Sequence, residues 1–265
     1  MKQNSILAVL GLALAAASPS LTFAANGTPS TTAEQSRADT ILRQMSNTLG
    51  AAQYFSFKVD REIDPPLAKK LGLQERTRIE VAVRRPDKLV ALSTSKADVR
   101  KLFADGRQLT VFDVKQNLYS TVPMPASLDA LPAKLAEKYG FAPPLAEFVV
   151  SDPYKDILWR IKSQTYLGTV RRSSGFLNQV ECHRVALSGS LADAELWIAV
   201  TDHLPRKLTA RISGSSGDAG GLTIVFSDWN MAAKLPDRAF VFTPSKNAQQ
   251  IPMITTSEMR AAMKR

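Results

Sequence analysis

The alternation of apolar and polar positions divides this chain into strand-like and helix-like stretches. Arg76–Arg84 is the clearest. Ile79, Val81 and Val83 fall on one side, and Arg78, Glu80 and Arg84 on the other, the period of a strand with one buried face. Tyr54–Glu62 alternates in the same way and stops before Pro65-Pro66. Leu89–Ser93, Val99–Phe103, Leu109–Val114 and Leu118–Val122 continue the series, with Arg85-Pro86-Asp87-Lys88 and Asp105-Gly106 as turns. Glycine after aspartate suits a two-residue hairpin because it accepts positive φ. A second series runs Thr165–Val170, Val180–Leu187, Leu196–Val200, Lys207–Ile212, Leu222–Trp229 and Ala239–Thr243. Within it Ser213–Gly221, which holds Gly214, Gly217, Gly220 and Gly221, reads as a loop.

Elsewhere the period changes to that of a helix. In Ala33–Leu49 the residues Ala38, Ile41, Leu42, Met45 and Leu49 share one helical face. Thr32 and Gln35 fit a capping box in front of it, and Gly50 reads as its stop. The stretch from Ala126 to Ile161 predicts two or three helices inserted between the strand series. Ser127 opens one that carries Leu128, Leu131 and Leu135 and ends at Gly140, and Pro143–Val150 holds a short segment. Asp152-Pro153 then starts another, with Tyr154, Ile157, Leu158 and Ile161 in a stripe. Ser257–Arg265 is a weak helix or a loose tail.

The first residues have a different character. Lys2, the apolar run Ile6–Ala17 and the small residues of Thr22-Phe23-Ala24 make a secretory signal with cleavage after Ala24. The apolar run is shorter than the roughly 20 residues a membrane span needs. The expected division is a signal peptide at 1–24, a linker at 25–32, one domain at 33–252 and a tail at 253–265, with the product soluble in the periplasm. Lys and Arg number 34 against 24 Asp and Glu, a net charge of +10, and only Lys2 lies in the leader. Such a balance favours anionic surfaces. In that compartment these are phospholipid head groups, lipopolysaccharide and acidic proteins rather than nucleic acid. A basic surface that merely keeps the chain soluble accounts for the charge equally well. The single cysteine, Cys182, permits no internal disulfide.

Catalytic patterns are sparse. Cys182 and His183 are adjacent on a strand and so point to opposite faces; a buried thiol beside an exposed imidazole is expected. His203 lies in a hairpin turn. No metal-ligand spacing and no nucleophile elbow occurs. Asp60, Glu62 and Asp64 could share a face as calcium-binding carboxylates do, but Arg61 and the two prolines favour a solvated strand edge. The expectation is a protein that is not an enzyme and needs no cofactor. Several strands are apolar on both sides: Leu109/Val111 against Phe112/Val114, Leu196/Ile198/Val200 against Trp197/Ala199, and Leu222/Ile224/Phe226 against Val225/Trp229. A half-solvated antiparallel sheet has only one dry face. A closed barrel or sandwich with helices outside accounts for this. So does a curved sheet with helices across its mouth, enclosing an apolar cavity.

The order of elements from about Ala33 to Ile251 resembles LolA-like proteins. So do Arg85-Pro86-Asp87, the run Asp105-Gly106-Arg107-Gln108-Leu109, Leu235-Pro236-Asp237 and Phe242-Thr243-Pro244. The likeness is closer still to a group of uncharacterised, predicted periplasmic proteins of that fold. The resemblance implies a mainly β fold: an open antiparallel β half-barrel with an N-terminal helix and a helical lid insertion. It implies an apolar cavity that takes acyl chains, a lid held shut by Arg85, and a large apolar residue of the same motif at Leu89. The candidate ligand-binding residues are Arg85, Leu89, Val111, Leu196, Ile198, Ile224 and Phe226. The chain departs from the carriers in its greater length, in a second arginine at Arg84, and in having only 7% aromatic residues. The expected function is a periplasmic carrier of an apolar or lipidated ligand, with a membrane-associated acceptor or an anionic membrane surface as partner. The alternative is a sensor or interaction module that uses the same fold to regulate a membrane protein.

Overall fold

Helix α1 (Thr32–Ala51) buries the face that the pattern marks, with Ala38, Leu42, Met45 and Leu49 fully enclosed. Its capping box lies one residue earlier than expected. Thr31 Oγ1 accepts from Glu34 N–H, and the Glu34 carboxylate accepts from Thr31 N–H at 2.8 Å. A carboxylate in the first turn also faces the positive end of the helix dipole, an advantage Gln35 lacks. Gly50 does not stop the helix, which runs on to Ala51. These are features of a computed structural model that describes residues 31–140, 145–158, 160–174, 178–190, 192–214 and 217–263. The expected signal peptide lies outside these residues.

The strands form one 12-stranded sheet. They are β1 (Tyr54–Ile63), β2 (Arg76–Arg84), β3 (Lys88–Ser95), β4 (Val99–Asp105), β5 (Gln108–Asp113), β6 (Leu118–Pro123), β7 (Ile161–Ser174), β8 (Asn178–Gly189), β9 (Ala192–Ala199), β10 (Pro205–Gly214), β11 (Gly217–Asn230) and β12 (Gln249–Gln250). The order is β12-β6-β5-β4-β3-β2-β1-β11-β10-β9-β8-β7, open at both ends, and antiparallel except where β12 joins β6. The architecture is therefore the expected open, mainly β sheet with an N-terminal helix. On β1 the inward side carries Phe55, Phe57, Val59 and Ile63, and on β2 it carries Ile79, Val81 and Val83. All of these but Ile63 share one core with the apolar face of α1, which lies against β7; Ile63 packs with Leu67, Ala68 and Ile212 in a second cluster.

Between β6 and β7 the chain forms α3 (Leu131–Tyr139), a 3-10 turn at Ala146–Phe148 and α4 (Pro153–Leu158). The α3 helix starts later than Ser127, yet Leu128, Leu131 and Leu135 are all buried, and Gly140 ends it in the left-handed conformation. Ile161, expected as the last residue of a helical stripe, is instead the first of β7.

Three further expectations are corrected. Pro65-Pro66 does not only end β1; it opens α2 (Pro65–Leu71), since proline is well accommodated in a first helical turn. The glycine-rich stretch Ser213–Gly221 is mostly strand: β10 continues to Gly214 and β11 begins at Gly217, with Arg211 opposite Gly221 and Ile212 opposite Gly220. The glycines let α2 sit close. Gly220 has φ +115°, a Cβ there would lie 3.0 Å from Leu67 Cβ, and the Asp64 carboxylate accepts from Gly221 N–H at 2.7 Å. Ala239–Thr243 is not a strand. After a 3-10 turn at Asp237–Ala239 it buries Phe240 and sets the Phe242 ring against Phe103, Phe112 and Tyr119 at tilted angles of 48–49°. That cover makes β5 dry on both faces. On β9 the outer face is not dry: Trp197 is half-buried beneath Arg184 and Lys207. The tail forms α5 (Thr256–Met263), against α3. Among the described residues no helix is long and apolar enough to cross a membrane.

Candidate functional site

The inward faces of β2 to β5 are not covered by α1. They face α3 and the 3-10 turn that follows it. Between sheet and helices lies a cavity of about 70 Å³. Its walls are Ile79 and Val81 of β2, Leu89 and Ala91 of β3, Leu102 of β4 and Val111 of β5. Its roof is Leu128, Leu131, Leu145 and Val149. Three cationic residues, Arg61, Arg100 and Lys101, also border it, and of these Arg61 and Arg100 are buried. Of the candidate residues, Leu89 and Val111 stand on the cavity wall. Leu196, Ile198, Ile224 and Phe226 do not line it; they are buried in the core, where Phe226 meets Phe148 of the 3-10 turn edge to face, with ring centroids 4.9 Å apart. Ile79, Val81 and Leu102 belong to the wall but were not singled out, although the alternation of β2 already put two of them on the buried face.

Arg85 follows β2 directly and turns its guanidinium toward the roof. Nη1 donates to Val149 O at 2.7 Å, and Nη2 to Val150 O at 2.9 Å and Leu49 O at 3.3 Å. Nε donates to Ala52 O at 3.1 Å. One side chain thus ties the end of α1 to the chain between the 3-10 turn and α4. A planar fork of five donors is suited to several carbonyls at once. Burial works against the Arg85 cation, and the charge of Asp129 supports it. Asp129 itself accepts from Ser151 N–H at 2.7 Å and Ser151 O–H at 2.6 Å. Leu128 N–H donates to Pro86 O at 2.8 Å, and Ser46 Oγ accepts from Tyr154 N–H at 3.0 Å. Gly50 belongs to the same junction, because a Cβ there would stand 2.4 Å from Ser151 O. Its lack of a side chain serves this approach rather than a helix stop.

Arg84 points the other way, as its neighbour on a strand must. It pairs with Asp237 and lies over the Phe240 ring at 5.2 Å, pinning the segment behind the sheet.

The remaining chemical candidates stay apart. Cys182 is fully buried, and burial raises its thiol further above neutrality. His183, expected exposed, is half-buried against Tyr166, whose hydroxyl lies 3.4 Å from Nδ1; burial and Arg37 lower its pKa. Asp60 and Glu62 are exposed and paired with Arg78 and Arg76, but β1 is a central strand rather than an edge, and Arg61 between them points inward. Among the described residues no group of three His, Cys, Asp or Glu is placed to hold a metal ion.

Residues 38–254 match the family described as "Predicted periplasmic protein (DUF2092)". The chain belongs to this family. The match spans β1 to β12 and the whole lid. No curated protein matches the chain. Among solved structures it is similar to an uncharacterized conserved protein from Thermus thermophilus, at 12% identity and a TM-score of 0.46, covering 82% of this chain and 99% of that one. It is similar to a chain of the Pseudomonas aeruginosa MucA/MucB complex, at 13% identity and a TM-score of 0.45, covering 78% of this chain but only 61% of that one. It is also similar to a LolA superfamily protein from Nitrosomonas europaea, at 14% identity and a TM-score of 0.35, covering 77% and 97%.

Proposed function

We propose that this DUF2092 protein is a periplasmic binding protein that holds an apolar or acylated ligand between the inward face of β2–β5 and the α3–α4 lid. The observation that carries this is the lining of the cavity: the walls and roof are almost wholly aliphatic, under a roof tied down by one arginine. The cavity is small, at about 70 Å³. That is well below the roughly 300–1,000 Å³ of a site for a drug-sized ligand. On this reading the chain is seen with its lid closed. A ligand enters by lifting the roof away from Leu89, Ala91 and Val111, and Arg85 sets the cost of that step.

An apolar fluorescent probe tests the site. Ala91→Trp fills the cavity from the sheet side, away from the latch. It should abolish most probe binding while leaving the secondary structure unchanged. Binding as tight as in the parent would place the probe elsewhere and sink the proposal.

A second reading, regulation of a membrane-protein partner, finds support in β7. Among the described residues it pairs as a strand only with β8 over its 14 residues; α1 lies against it, and a partner strand would add to whatever part of the edge α1 leaves open. Recovery of a stoichiometric protein partner and no lipid would favour that reading.

A further inference from the structure

The inward positions of β1 are apolar from Phe55 to Ile63, except one. Arg61 is only 8% exposed and stands on the wall of the cavity beside Ile79 and Val81. Its Nη2 donates to Thr77 Oγ1 at 3.0 Å, while its Nε is buried with no hydrogen-bond partner. Among the described residues it forms no ion pair, and burial acts alone on its protonation, lowering it. Arg100, buried at the same cavity, differs in having carboxylate oxygens of Asp98 and Asp113 at 3.6 and 3.7 Å. A guanidinium has five N–H donors and keeps its charge when buried. A buried cation with no counter-charge is strongly unfavourable, and an apolar residue of the same length would avoid the penalty.

The register shows what surrounds it. Arg61 is opposite Thr77 on β2, Thr77 is opposite Ser95 on β3, and Ser93 is opposite Arg100 on β4. Hydroxyls and guanidinium groups thus gather at one end of the inward face. Arg85 is at the other end, eight residues beyond Thr77 and so about 27 Å along the strand. Between the two ends the wall is aliphatic. The cavity is apolar along its length and cationic at the end away from the latch.

We propose that Arg61 binds the oxyanion head of an amphiphilic ligand, a carboxylate or a phosphate carried on a hydrocarbon chain, whose tail occupies the apolar cavity. This rests on the binding function proposed above and names the chemistry of its ligand. The head group supplies the counter-charge that the protein does not, and its oxygens match the planar fork of donors.

The test uses three fluorescent ligands of one chain length: a long-chain carboxylic acid, its methyl ester and the alkyl phosphate. Each is titrated into the full chain and into Arg61→Met. In the parent the acid, the phosphate or both bind at least about tenfold tighter than the ester, the gain of one charge-assisted hydrogen bond. Whichever is tighter identifies the head group. In Arg61→Met the three bind alike, and the ligand-free variant melts above the parent because the uncompensated charge is gone. Equal binding of all three by the parent overturns the inference and leaves the apolar-ligand function standing. A preference that survives in Arg61→Met overturns the role of Arg61. Failure of all three to bind overturns the binding function and this inference with it. Should Arg61→Met not fold, the parent's acid-to-ester ratio still decides, with Arg61→Lys expected to keep part of the preference.

Discussion

Replacing Arg85 by leucine removes a latch and leaves its surroundings in place. Four carbonyls lose a donor, but only those of Val149 and Val150, at 2.7 and 2.9 Å, lie on the lid side. Those of Leu49 and Ala52 belong to the end of α1, and Leu49 O keeps a donor in Ala52 N–H at 3.3 Å. A hydrogen bond from a charged donor contributes about 1.5–3 kcal/mol. The site is half-buried, so water replaces part of what is lost, and the low end applies to each bond. Two such bonds give about 3 kcal/mol, or roughly a hundredfold shift from closed toward open. Hydrogen exchange over α3, the 3-10 turn and α4 should accelerate by about that factor, while β1 and β2 stay as protected as before. An apolar probe should enter faster. Arg84→Leu is the matched control, because Arg84 pins Asp237 and Phe240 on the opposite face. It should loosen residues 237–242 and leave the lid alone. Equal protection of the lid in Arg85→Leu and Arg84→Leu would refute the latch.

Two other perturbations act on the same roof. Gly50→Ala drives a Cβ to 2.4 Å from Ser151 O; a thermal melt should show a loss of about 1–3 kcal/mol, as for overpacking, with faster exchange at the junction of α1 and the lid, and an unchanged melt would mean that the two backbones separate freely. Glu147 lies half-buried in the 3-10 turn of the lid, where burial raises its pKa above the ordinary value near 4.5; a hydrogen bond from its own backbone and the charge of Arg160 oppose that shift only in part, while Asp156 adds to it. A raised carboxyl contributes stability that is complete below the ordinary value and is lost as pH rises through the folded one. Glu147→Gln should therefore match the parent's melting temperature in acid and exceed it at neutral pH; a difference that does not change with pH would contradict this.

Much of the sheet was legible because alternation and burial coincide. The bounds of β2 follow from Ile79, Val81 and Val83 alone, and Asp152-Pro153 marks the start of α4, where Asp152 Oδ1 accepts from Lys155 N–H at 3.0 Å. What was misplaced depends on approach between segments distant in sequence. Gly220 and Gly221 look like a loop until Asp64 and Leu67 are seen against them. Phe240 and Phe242 have a strand's composition, but their partners are the Arg84 guanidinium and the rings of Phe103, Phe112 and Tyr119 rather than a neighbouring backbone. The cavity wall was half legible for a related reason. The most apolar strands, β9 and β11, bury Leu196, Ile198, Ile224 and Phe226 in the core away from the cavity. The less uniform strands β2 to β5 face the lid. Arg61 reads as a surface residue because its neighbours Asp60 and Glu62 are, although the alternation of β1 puts it on the side of Phe57 and Val59.

The most direct test of the account is the mass of the protein isolated from periplasm without detergent, measured under native conditions and again after denaturation. Occupation of the cavity predicts a native mass that exceeds the polypeptide by an acyl-chain amphiphile, released on denaturation and much reduced in Ala91→Trp. A native mass equal to that of the polypeptide, or an adduct that Ala91→Trp retains in full, would contradict it.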